Sequence, residues 1–295
     1  MKKIKTLLFS IVPLLLGIGI IYFVQIYIMI LSAIFMSTIA PLITQTPYSF
    51  DNLWSLWSNT DFNAMMSVVF SVTSIVIFGI WYYKSCGGNY LPSVRRTFHP
   101  LQFLGIVFLV PGTQFFSSII IAIVSVVFPS WLQAYEKLLE NAGIGNEISI
   151  IMMIYSVCLA PISEEMIFRG VTMRIARRSF PFWVANLIQA VLFGIFHMNI
   201  LQGIYAAVLG LFLGYVCEKG GSIYLAIVFH FLFNLWGTTS SKWLTVEDPF
   251  LSLLIIFGGT AVGLVAGLLC FRHGNSLVGR AVIKKQQTTE TYQQL

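Results

Sequence analysis

The chain alternates long apolar runs with short polar joints. Eight runs stand out, at about 7–36, 62–83, 101–128, 148–172, 182–199, 201–217, 222–241 and 250–271. A helix rising 1.5 Å per residue needs about 20 apolar residues to cross a bilayer. The pattern therefore predicts an all-α fold, a polytopic membrane helical bundle of about eight transmembrane helices. Pro13, Pro111 and Pro161 fall inside these runs and predict kinks, which neighbouring helices accommodate. The organisation reads as three spans with their loops over 1–147, a helical core over 148–241, a last span over 242–273 and a polar, disordered cytoplasmic tail over 274–295. No internal repeat is visible.

Composition turns this pattern into a membrane assignment. Hydrophobic residues make up 57% of the 295 and charged residues only 9%, with a mean hydropathy of +0.85. Soluble domains carry about a quarter charged residues, and no polar stretch is long enough to form one. Lys2, Lys3 and Lys5 precede an apolar run reaching about Met36, too long for the apolar region of a signal peptide, so it reads as a retained first span.

Charge then orients the bundle. With the N-terminus placed in the cytoplasm, 15 of the 17 Lys and Arg fall on the cytoplasmic side, and only Lys137 and Lys242 fall outside. This bias predicts an even number of spans with both termini cytoplasmic. The net charge of +6 flanks the spans and reads as topology, so no nucleic-acid partner is implied. Cys86, Cys158, Cys217 and Cys270 are widely separated, which speaks against a disulfide framework or a cysteine-rich zinc site. Trp54 and Trp57 sit where interfacial anchors are expected. Gly210 and Gly214, and Gly259, Gly263 and Gly267, have the spacing that lets helices approach closely. Packing within the chain is the simpler reading, and a homodimer is the alternative.

The few polar residues inside the spans carry the chemistry. Residues 161–169 read Pro-Ile-Ser-Glu-Glu-Met-Ile-Phe-Arg. Ionisable side chains at membrane depth are costly and mark functional sites by default. Glu165 and Arg169 are four apart and share a helix face, where they can pair. Glu164 points roughly 100° away and is a candidate general acid or base. A turn at Ser179–Pro181 makes the fourth and fifth spans a hairpin, which brings Glu164, Glu165 and His197 to one level, roughly 23–25 Å from that turn. Asn186, Gln189, Phe193 and His197 form one stripe, predicted to face the interior or an aqueous route from the cytoplasmic side. His230 and Asn234 share a face of the seventh span. Glu164, Glu165, His197, His230 and Asn234 can thus converge on one buried site. His99 and His273 lie near the boundary and read as surface residues.

Glu164-Glu165-x-x-x-Arg169, Phe193-x-x-x-His197 and His230-x-x-x-Asn234, in that order on membrane helices, resemble the CPBP family, the CAAX-type and bacteriocin-processing intramembrane proteases. The resemblance covers about 161–236. It implies an intramembrane endopeptidase in a bacterial cell membrane, acting from the cytoplasmic side or mid-membrane on a peptide or membrane-protein substrate. Glu164 and His197 would activate water, His230 and Asn234 would stabilise the oxyanion, and Glu165 and Arg169 would hold the site together, with Phe193 supporting. A divalent metal such as zinc on Glu164, His197 and His230 is compatible with the ligand types. HExxH is absent, however, and metal-independent Glu/His catalysis is the preferred reading. Two other classes compete. One is a non-enzymatic scaffold or bacteriocin-immunity protein with a protease-like fold. The other is an ion-coupled transporter, against which the lack of an inverted repeat counts.

Overall fold

A computed structural model describes residues 1–45, 47–85, 99–143, 148–240 and 244–293, the last fifteen of these as backbone only. Among the described residues all regular structure is helical. The helices are α1 (Lys2–Thr44), α2 (Phe50–Ser58), α3 (Thr60–Ser85), α4 (Pro100–Val127), α5 (Pro129–Asn141), α6 (Ile150–Arg177), α7 (Phe182–Phe196), α8 (Ile200–Gly220), α9 (Ile223–Thr239) and α10 (Pro249–Gln293). The expected all-α membrane bundle is present.

Among the described residues, six helices are long and apolar enough to span a membrane: α1, α3, α4, α6, α8 and residues Pro249–Val278 of α10. The runs expected at 182–199 and 222–241 as full spans are shorter, with 15 and 17 helical residues, roughly 22 and 25 Å of rise. Polar caps trim them. Met198 takes a left-handed φ of 52°, and the Asn199 side chain accepts the Gln202 N–H at 3.0 Å to begin α8. Ser222 similarly accepts from Tyr224 N–H and starts α9. A second difference lies at the C-terminus. The last helix continues to Gln293, where a disordered tail was expected beyond 273, because no Gly or Pro interrupts 280–293.

Side-chain bonds tie the helix ends into two opposite faces. At one, Thr6 Oγ1 meets Ser179 Oγ at 2.7 Å, Arg177 pairs with Glu218 at 3.1 Å, and Gln102 donates to Asn275 at 2.6 Å. This face carries Lys2, Lys3, Lys5, Arg174, Arg177, Arg178, Lys219 and Arg272, and is called the basic end below. At the other, Trp57 Nε1 donates to Ser32 at 2.9 Å and the Tyr135 and Tyr205 hydroxyls meet at 3.1 Å.

Small residues and aromatic rings fill the interior. Gly105 and Gly112 of α4 face Gly263 and Gly267 of α10 so closely that a Cβ on Gly112 would lie 2.7 Å from the Gly263 carbonyl carbon. Phe78, Phe168, Phe193, Phe229 and Phe271 are fully buried in one cluster. Lipid is as apolar as these rings, so close packing rather than dehydration holds such helices together. Cys158, Cys217 and Cys270 are free thiols, and Cys86 lies outside the described residues.

Candidate active site

Glu164 and Glu165 lie on a six-residue α-helical segment, Ala160–Glu165, between two π-helical stretches, Ile154–Leu159 and Met166–Thr172. Pro161 has no N–H to give the preceding turn. The ladder shifts there, and Ala160 N–H bonds Tyr155 O, five residues back. Beyond the carboxylates, Thr172 Oγ1 donates to Ile167 O at 2.9 Å, again across five residues. π-stretches of this kind concentrate at functional sites.

The two carboxylates have different surroundings. Glu165 is fully buried, and its Oε1 accepts from Arg169 Nη1 at 2.9 Å and faces His230 Nδ1, also at 2.9 Å. The predicted pairing of Glu165 with Arg169 thus gains a third member from a helix 65 residues away. Arg169 is itself buried, donates to Gly210 O at 3.3 Å and stacks over Phe193 with its guanidinium carbon 4.5 Å from the ring centroid. Glu164 is 8% exposed, and its Oε2 lies 3.7 Å from His230 Nε2.

Each histidine is oriented by a neighbour. His197 sits at the C-cap of α7, and its Nδ1 lies 2.9 Å from Phe193 O. A carbonyl can only accept, so Nδ1 carries the proton and Nε2 of the neutral ring is the free acceptor. His230 Nδ1 likewise donates to Glu165, which leaves Nε2 towards Glu164. Phe193 stands edge-on to both rings, 4.8 Å from His197 and 5.8 Å from His230. Asn234 donates one amide N–H to Ser156 O at 2.8 Å, inside the first π-stretch, and has a second N–H in hand.

Glu164, Phe193, His197, His230 and Asn234 line one cavity of about 380 Å³. Glu165 and Arg169 stand behind its wall. The geometry therefore brings together all seven residues singled out in the sequence, four of them as polar groups facing a shared space. The wall also includes Ser67, Tyr155, Gln202 and Tyr205, together with Leu138 of α5 and Ala142 at its C-cap. None of these was a sequence candidate. Gln202 and Tyr205, three apart at the start of an apolar run, were the readable signal.

The polar stripe on α7 faces the interior, as expected, but its first two members do not line an aqueous route. Asn186 and Gln189 are fully buried and do not open a route to the basic end. Gln189 donates to Gly210 O at 2.9 Å and Asn186 to Leu211 O at 3.0 Å. Gly214 leaves the space these amides fill. The stripe clamps α7 to the backbone of α8, where Arg169 also bonds.

Among the described residues, no group of three or more His, Cys, Asp or Glu is spaced to hold a metal ion. Glu164, His197 and His230 face the same cavity, but His230 directs one nitrogen to each of two carboxylates. As arranged, these side chains do not form the suggested metal site.

Comparison with known proteins is consistent with this centre. The family model described as type II CAAX prenyl endopeptidase Rce1-like matches residues 146–236, which contain every one of the seven residues. No curated protein and no solved structure gave a match.

Proposed function

We propose that this integral membrane protein, whose residues 146–236 match the Rce1-like type II CAAX prenyl endopeptidase model, hydrolyses peptide bonds through Glu164 and His197. The substrate is a peptide or a membrane-associated polypeptide segment small enough at the scissile bond to enter the cavity. The observation that carries the reading is the shared cavity of Glu164, His197, His230 and Asn234, backed by the buried Glu165–Arg169 pair.

In this mechanism a water between Glu164 and His197 attacks the peptide carbonyl carbon, and Glu164 takes its proton. His197, fixed through Nδ1 by the Phe193 carbonyl, accepts a hydrogen bond from the same water at Nε2. The tetrahedral oxyanion receives the spare Asn234 amide N–H. His230, held through Nδ1 by Glu165 at 2.9 Å, keeps its Nε2 on the Glu164 side of the same cavity. Donors fixed where charge develops are the strongest single contribution in such reactions. Collapse breaks the C–N bond, and Glu164 returns the proton to the leaving amine. Glu165 and Arg169 act as positioning residues, since neither lines the cavity. No step requires a metal.

The test is hydrolysis by purified protein in detergent of an internally quenched, random-sequence peptide mixture, with products mapped by mass spectrometry. Glu164→Ala and His197→Ala should each abolish cleavage while the protein still purifies and unfolds at its usual temperature. Full activity in either variant would sink the assignment.

A further inference from the structure

The direction in which the cavity opens can be read from the positions of its walls. Its floor is Glu164, His230 and Phe193, which are 8%, 2% and 0% exposed. Its outer wall comes from residues near those helix ends that lie away from the basic end. Met66 and Ser67 belong to the first two turns of α3, and Met152 and Tyr155 to the start of α6. Met198 sits in the α7–α8 joint, and Gln202 is in the first turn of α8. Leu138 of α5, a helix outside the spans, and Ala142 at its C-cap complete the rim.

Contacts independent of the cavity place these parts together. Tyr135 of α5 bonds Tyr205 near the start of α8, and a Cβ on Gly143 would lie 2.9 Å from Thr60 at the start of α3. Exposure rises along the same axis, reaching 58% at Met198. On the opposite side the buried Asn186–Gln189–Gly210 clamp and the Arg169 pair close the floor. Basic residues flanking spans remain in the cytoplasm, and here they crowd the closed end.

We infer that the cavity opens on the extracytoplasmic face, so that its substrate is a polypeptide segment that has already crossed the membrane. The cytoplasmic route anticipated from the sequence is blocked by the clamp on α7. A translocation reaction must therefore supply the substrate, and the fragments are released outside the cytoplasm. The part of this inference that concerns cleavage rests on the proposed peptidase activity; the direction of opening does not.

The test separates the two. Ala142→Cys at the rim and Arg178→Cys at the basic end are treated with a membrane-impermeant maleimide in sealed right-side-out and inside-out membrane vesicles, and the modified residue is located by mass spectrometry. Ala142→Cys should be modified in right-side-out vesicles, with the signal lost in inside-out ones, and Arg178→Cys should behave in the opposite way. Modification of Ala142→Cys from the cytoplasmic face alone overturns the inference. In a second arm, the unsubstituted protein is given the quenched peptide mixture outside sealed vesicles. Cleavage is expected only with right-side-out vesicles, and cleavage only with inside-out vesicles overturns the access route. Absence of cleavage in both orientations refutes the peptidase reading and with it the substrate class, while the maleimide pattern still decides the direction of opening.

Discussion

A single carboxylate oxygen, Oε1 of Glu165, receives both Arg169 Nη1 and His230 Nδ1, each at 2.9 Å. This joins a pair made within one helix to a histidine on another. Its environment has no exposure to share the charge with water. Removing one member of such a buried set leaves the others uncompensated, at a typical cost of about 3–5 kcal/mol. Glu165→Gln should therefore lower the unfolding temperature in detergent markedly. Glu165→Gln combined with Arg169→Met should lose less stability than the two single changes added together. Additive losses would show that the pair does not couple.

Glu164 should behave in the opposite manner. Its contact with His230 is 3.7 Å, and it borders the cavity. Glu164→Gln keeps the shape and removes the base, so turnover should fall by at least about 100-fold with little change in unfolding temperature. A large stability loss with activity retained would exchange the roles of the two carboxylates.

The clamp between α7 and α8 gives a steric prediction. A methyl group on Gly214 would occupy the place of the Asn186 side-chain oxygen and approach Gln189 Nε2 to 2.7 Å. Gly214→Ala should cost about 1–3 kcal/mol through overpacking. Gly258→Ala, where a Cβ meets nothing within 4 Å, should be neutral or slightly stabilising. Equal melting shifts for the two variants would count against the clamp.

The Tyr135–Tyr205 bond fastens α5 over the rim. Burial pushes the Tyr135 phenol above its ordinary value of 10.0, against a smaller lowering by the bond to Tyr205. A raised value in the folded protein means that this contribution is complete below the unfolded value and is lost only as pH rises through the folded one, so docking of α5 should be constant from about pH 5 to 9 and weaken above about 10. Tyr135→Phe should remove about 1 kcal/mol and speed amide exchange over 129–141. Unchanged exchange would show that the hydroxyl pair does not hold the helix.

Chelation tests the chemistry itself. The His230 nitrogens are directed at Glu165 and Glu164, and the mechanism uses no metal ligand. Cleavage should persist after dialysis against a chelator, with no loss of turnover. Loss of turnover, restored by stoichiometric zinc, would replace this mechanism with a metal-assisted one.

Much of this centre was legible along the chain because helix geometry is local. The rise per residue placed Glu164 and His197 at one depth, and the four-residue spacing paired Glu165 with Arg169. The third partner, His230, was not readable, since only tertiary packing sets which carboxylate it meets. The Asn186–Gln189 stripe was seen, but an amide facing water and an amide facing the Gly210 carbonyl look alike in sequence. The short α7 and α9 were overestimated because the run on α7 was carried to Asn199, whose side chain instead caps α8, and the run on α9 was carried past Thr239, where that helix ends. The helix 129–141 was passed over as loop, its apolar face being too brief to read as a span.

The π-stretches on either side of Ala160–Glu165 give that segment an angular setting of its own. Each extra residue per turn acts as a dislocation, so the faces of α6 above and below need not continue the face that bears Glu164. The helix can seat Asn234 against Ser156 at one level and Arg169 against Gly210 at another, while turning the intervening carboxylate independently towards the cavity. A straight α-helix of the same length would have to trade one of these alignments for another.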